Sequence, residues 1–102
     1  MQQEEEDFPR NAHGVVQYPK GDVRRIFVLI AAIDLLRRPT ITELEQYTGW
    51  NRGSINRDIS KISVQFDVSI VKQDGAYRIL DWGQVLRREG VKKSLTGLHD
   101  AN

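Results

Sequence analysis

The stretch TGWNRGSINRDISKI, residues 48–62, decides how this chain folds. It opens on Gly49, which can take the left-handed conformation that closes a helix. Two residues later Asn51 offers a side chain that accepts a first-turn amide and so starts the next helix. Ile55, Ile59 and Ile62 then recur at i, i+4 and i+7, the spacing of a buried helical stripe. Trp50 lies between the two helix ends, where an apolar residue seals the turn.

Upstream, Thr40-Ile41-Thr42-Glu43 matches a capping box: Thr40 accepts from the third helical amide and Glu43 reaches back to the Thr40 amide. This predicts a short helix over 41–47, with Ile41 and Leu44 inward. Only a few residues separate it from the helix predicted over 51–65, which is helix-turn-helix geometry. Further upstream, Asp22 can cap a helix running to about residue 38, where Pro39 stops it. Its centre, IFVLIAAIDLL, is apolar almost all round, so it needs cover on more than one side. That predicts a central core helix and leaves room for a second copy against it.

Downstream the periodicity changes. Residues 69–73 and 77–80 flank Asp74-Gly75, a hairpin signal because type I′ turns need positive φ at both central residues. A hairpin directly after the third helix is a wing. A last helix is predicted over 83–95, with Val85, Leu86, Val91 and Leu95 as a sparse apolar stripe and Arg87, Arg88, Lys92 and Lys93 opposite. Gly90 weakens it.

Two linked motifs carry a resemblance. Gly49, Trp50, Asn51, Ile55 and Arg57-Asp58-Ile59 follow the pattern of a turn glycine, an apolar residue, a polar cap and a later Arg-Asp-Ile/Leu. Residues 74–79, DGAYRI, follow the end of a wing. Together, over about residues 22–80, they resemble the winged helix-turn-helix DNA-binding domains of bacterial regulators of the DeoR and biotin-repressor types. The resemblance implies an α+β winged helix with an extra C-terminal helix, and Asp58 orienting Arg57 or a neighbouring base-reading group. One departure is Glu45, four before the turn glycine, where such motifs often carry alanine. It predicts looser packing between the two helices. About twenty residues follow the wing, too few for an effector domain, so no small-molecule effector is expected.

Composition sets the other bounds. A chain of 102 residues, 39% hydrophobic and 28% charged, reads as one soluble domain. It has no cysteine, which excludes disulfides, thiol catalysis and cysteine-built zinc sites. Its two histidines, His13 and His99, stand at opposite ends, so no metal is expected. The longest apolar run, residues 26–33, is too short for a bilayer. An acidic N-terminus without an apolar stretch is no secretory signal. A cytoplasmic protein without cofactor or membrane is expected, and nothing resembles a catalytic constellation.

Charge is unevenly spread. Residues 1–20 hold two basic against four acidic side chains, Glu4, Glu5, Glu6 and Asp7; the remainder hold thirteen basic against ten acidic. Residues 1–20 therefore read as a flexible acidic arm, residues 21–82 as the winged helix and 83–102 as a C-terminal helix and tail.

A recognition helix enters the major groove of duplex DNA N-terminal end first. Its first turn and exposed face offer Asn51, Arg52, Gly53, Ser54, Asn56, Arg57 and Lys61. Arginine can bond guanine O6 and N7, and asparagine adenine N6 and N7. Gly53 permits close backbone approach, and the helix N-terminus with the Ser54 hydroxyl suits a phosphate. Lys72, Gln73 and Arg78 on the wing are candidates for backbone or minor-groove contact. The expected function is a sequence-specific double-stranded DNA-binding regulator, bacterial or from a mobile element, acting as a homodimer. The alternative is a winged-helix protein-interaction module that uses the first and last helices as its contact surface.

Overall fold

The structure, a computed structural model, describes residues 8–95. Among these are four helices and a two-stranded antiparallel hairpin, an α+β arrangement. The order is α1 (Arg24–Leu35), α2 (Ile41–Thr48), α3 (Arg52–Phe66), β1 (Ser69–Gln73), β2 (Ala76–Asp81) and α4 (Arg88–Ser94). That order is compatible with a winged-helix layout. The acidic run at 4–7 and the tail from 96 onward, with His99, lie outside the described residues. None of the helices described is long and apolar enough to cross a membrane.

α1 is the central helix. Its apolar circumference is buried from Ile26 through Ile33, except for half-buried Phe27, and it packs against α2, α3, α4 and β2. Phe27 meets Phe66 of α3 edge-on at 5.6 Å between ring centroids. Much of the face that left room for a second copy is thus covered within the chain.

The boundaries of α1 differ from expectation. Asp22 Oδ1 accepts the Arg24 amide at 2.9 Å, but the residue preceding the helix is Val23. The helix ends at Leu35, three residues short of the predicted stop, because Leu36 turns to extended backbone with ψ 142°. Pro39 still matters: its carbonyl accepts the Tyr77 amide at 3.0 Å, and Thr40 forms a bridge with Ala76. The α1–α2 linker therefore lies along β2.

α2 and α3 follow their caps. Thr40 Oγ1 accepts the Glu43 amide at 3.1 Å and Asn51 Oδ1 the Ser54 amide at 2.9 Å. The reciprocal half of the capping box is replaced: the Thr40 amide donates to the Arg38 carbonyl at 2.8 Å. Gly49 is left-handed at φ 81°. Ile55 and Ile62 are fully buried and Ile59 half-buried.

The flexible arm is corrected most. Val15, Val16 and Tyr18 are 1%, 4% and 4% exposed and belong to the core. Asn11 Nδ2 donates to the Tyr47 carbonyl at 2.8 Å, and Gln17 Nε2 to the Thr48 carbonyl at 2.9 Å. The last carbonyls of a helix have no intrahelical partner; here a strap from the N-terminal segment supplies them for α2. Arg24 lies over the rings of Tyr18 and Phe8, 4.5 and 5.1 Å from their centroids.

The last helix is shorter than expected, seven residues against a predicted span of 83–95. Gly83 does not begin it. Gly83 has φ +73°, and a Cβ there would lie 2.2 Å from the Asp67 carbonyl oxygen. Asp67 is itself left-handed at the end of α3, so the chain passes closely over that turn before reaching α4. Val85 is 60% exposed and stands outside the apolar stripe, whereas Val91 and Leu95 are buried. Asp34 of α1 pairs with Arg88 at 3.2 Å and Lys92 at 3.8 Å.

Candidate nucleic-acid interface

The first turn of α3 is held by its own neighbours. Asn51 takes up the Ser54 amide. Glu45 Oε2 accepts the Arg52 amide at 2.9 Å while its Oε1 holds the Arg52 guanidinium at 2.9 Å. The hydrogen bond from Arg52 depresses the Glu45 pKa below the usual carboxylate range, and the same bond raises that of Arg52. A carboxylate at the positive end of a helix is favourably placed. The residue that predicted looser packing instead fastens the turn. Two of the amides expected to receive a phosphate are thereby occupied. Ser54 is buried at 8% exposure, and its hydroxyl accepts Arg57 Nη2 at 3.3 Å. The tip of α3 is therefore not an open phosphate seat, and Arg52 is half neutralised.

The exposed face of α3 runs through Gly53, Arg57, Ser60 and Val64, with Asn56 and Lys61 on its flanks. These positions recur at i, i+4, i+7 and i+11, opposite Ile55 and Ile62. Val64 is 84% exposed; neither it nor Ser60 was singled out from sequence. A Cβ on Gly53 would come within 3.3 Å of the capping Asn51 Oδ1, so a small residue there protects the cap. Asn56 Oδ1 accepts the Tyr77 hydroxyl at 3.3 Å, which fastens α3 to the hairpin. Asp58 is half-buried and makes no ion pair with Arg57; the Arg57 side chain bonds Ser54 instead.

The hairpin turns as expected, with φ 52° at Asp74 and 80° at Gly75. Its register places Lys72 opposite Tyr77 and Gln73 opposite Ala76. Lys72 Nζ lies 5.4 Å from the Tyr77 ring centroid, and Arg78 Nη1 donates to Gln73 Oε1 at 3.1 Å. All three predicted side chains, Lys72, Gln73 and Arg78, are exposed. Arg38, not predicted, braces the turn by donating to the Asp74 carbonyl at 2.9 Å.

Beside α3, opposite the Asn56 flank, lies a cleft of about 290 Å³ between the start of α1 and the Ser54–Gln65 side of the helix. Lys20, Arg25, Arg57 and Lys61 line it, with Asp22 and Asp58. Asp22 is committed to Arg24 at 2.6 Å; that hydrogen bond holds its carboxyl below the usual range. Arg25 lies over the Trp50 ring at 4.4 Å. Sequence reasoning missed Lys20 and Arg25 because one was read as arm and the other as core helix. The structure thus brings Ser54, Arg57 and Lys61 together at this cleft, leaves Asn51, Arg52 and Gly53 at the clamped tip, and sets Asn56 against the hairpin that carries Lys72, Gln73 and Arg78.

The chain matches no protein-family model, no curated protein and no solved structure.

Proposed function

We propose that this chain is a winged-helix protein that binds duplex DNA with sequence preference, as a regulator of transcription. α3 enters the major groove and the β1–β2 hairpin serves as the wing. One observation carries the reading: the Tyr77 hydroxyl bond to Asn56 fixes the hairpin against the helix whose exposed face holds Asn56, Arg57 and Lys61. Helix and hairpin then meet a duplex as one surface. The major groove, about 12 Å wide, admits an α-helix.

The chemistry on that surface suits DNA. Arg57 has the fork for guanine, and its bond to Ser54 orients it along the helix. Lys61, Lys72 and Arg78 are exposed cations able to neutralise phosphates. Residues 8–95 hold fifteen basic against nine acidic side chains, so this stretch carries a net positive charge. Arg52, clamped by Glu45, takes a smaller part.

Selection of bound sequences from random duplexes, followed by titration of the winner and a scrambled duplex across salt, tests it. Enrichment of a common sequence, bound at least tenfold more tightly than the scrambled one, is expected. No enrichment and equal, weak binding would defeat it.

A further inference from the structure

The cleft between the start of α1 and α3 holds more positive charge than its own groups satisfy. Lys20, Arg25, Arg57 and Lys61 converge on about 290 Å³. Of the two carboxylates there, Asp22 is already taken by Arg24, which leaves Asp58 to face four cations. Arg25 is the telling member. Its guanidinium is held over Trp50, and its Nε is buried with no hydrogen-bond partner. A buried donor left unsatisfied is costly, more so on a charged group, and native structures seldom leave one without a reason. An arginine fork flanked by lysines is the arrangement that receives a phosphate oxygen.

We propose that this cleft is an oxyanion site for a phosphate group, with Arg25 as its fixed donor and Lys20 and Lys61 as flanking cations. Arg57 borders both the cleft and the exposed face of α3. Resting on the DNA reading above, the phosphate is a backbone phosphodiester beside the groove that α3 enters. The contact sets the register of the helix and carries no sequence information itself. Phosphate at the cleft takes the place of the contact expected at the clamped tip of α3.

The test uses the full chain labelled with ¹⁵N. The Arg25 Nε–H signal is followed as inorganic phosphate is added, against sodium chloride at equal ionic strength. Phosphate, and not chloride, is expected to move that signal, and Lys20→Gln is expected to weaken the response several-fold with the remaining spectrum intact. Added duplex should displace the phosphate. In duplex titrations, Lys20→Gln and Arg25→Gln should weaken preferred and scrambled sequences alike and lower the salt slope by about 0.9 each. If phosphate and chloride act alike on Arg25, the site does not exist. If phosphate binds but duplex neither displaces it nor depends on Lys20, the backbone assignment is overturned. If phosphate binds and the parent fails to bind any duplex, the DNA reading fails, while the oxyanion site stands with free phosphate or a phosphate ester as its source.

Discussion

Glu45 grips Arg52 twice, by the backbone amide and by the guanidinium, both at 2.9 Å. One carboxylate thus closes the turn between α2 and α3, caps the positive end of α3 and neutralises an arginine on the proposed DNA surface. In the DNA reading it also stands against phosphate. Glu45→Gln keeps an acceptor for the amide and removes the charge. Affinity for preferred and scrambled duplexes should rise alike and only modestly, since an ion pair open to solvent is worth little. Equal affinity for parent and variant at low salt would show that Arg52 stays outside the contact.

The same pair gives a pH dependence. The Glu45 and Asp22 pKa values are lowered mainly by hydrogen bonds from Arg52 and Arg24. A carboxylate lowered on folding adds stability above its unfolded pKa, and that stability is lost as pH falls through the folded value. The melting temperature should therefore hold from neutral pH down to the ordinary carboxylate range and decline below it. Glu45→Gln should decline less steeply over the same window. Parallel melting curves for parent and variant would remove Glu45 from the account.

The N-terminal strap is part of the fold. Val15, Val16 and Tyr18 are buried, and burial of such side chains is worth about 1.5–3 kcal/mol each, against a total stability of about 5–15 kcal/mol for a domain. Deleting residues 1–18 is expected to unfold the chain or bring it close to unfolding, and Tyr18→Ala alone to cost about 3–5 kcal/mol. Urea unfolding followed by circular dichroism checks both. A deletion that unfolds at the parent's midpoint would show the strap to be dispensable.

Gly83 is the least replaceable of the described glycines. Alanine there would adopt a left-handed conformation that costs about 1–2 kcal/mol, and its Cβ would also collide with the Asp67 carbonyl. Gly21→Ala has positive φ, but open space around the new methyl. The two variants separate strain from collision: Gly83→Ala should lower the urea midpoint clearly more than Gly21→Ala. Equal shifts would mean that the loop over Asp67 yields.

These residues also show what a sequence can disclose. The α2–turn–α3 unit and the hairpin were legible because their signals are local: Thr40 and Asn51 cap amides three residues on, and Asp74-Gly75 makes its own turn. The strap was not. Val15, Val16 and Tyr18 follow no period, and their segment is tied down by Asn11 and Gln17 reaching Tyr47 and Thr48, 36 and 31 residues away. Nothing in the local sequence around Gly83 points to the Asp67 carbonyl, sixteen residues earlier, that packs against it. The candidate surface was half legible. Exposure of Asn56, Arg57 and Lys61 followed from the isoleucine stripe. The clamping of Arg52, the burial of Ser54 and the meeting of Lys20 and Arg25 with α3 depend on tertiary placement.

The Tyr77–Asn56 bond makes helix and hairpin act together, so its loss should be felt in both stability and binding. Tyr77→Phe is expected to cost about 0.5–1.5 kcal/mol of stability, the net worth of one such bond. The folded variant should also lose discrimination between preferred and scrambled duplexes, because Asn56 and the hairpin are no longer held together. Unfolding curves and duplex titrations on the same preparation check it. Unchanged discrimination would mean that the helix reads alone.

The central claim is that α3 is the reading head, and Arg57 tests it most directly. Binding of the parent and of Arg57→Ala is titrated against the selected duplex and its scrambled counterpart at several salt concentrations. The account predicts a loss of about 1–3 kcal/mol at the selected site, with discrimination flattened at one base pair and the fold intact. An Arg57→Ala protein that binds both duplexes as the parent does would contradict it.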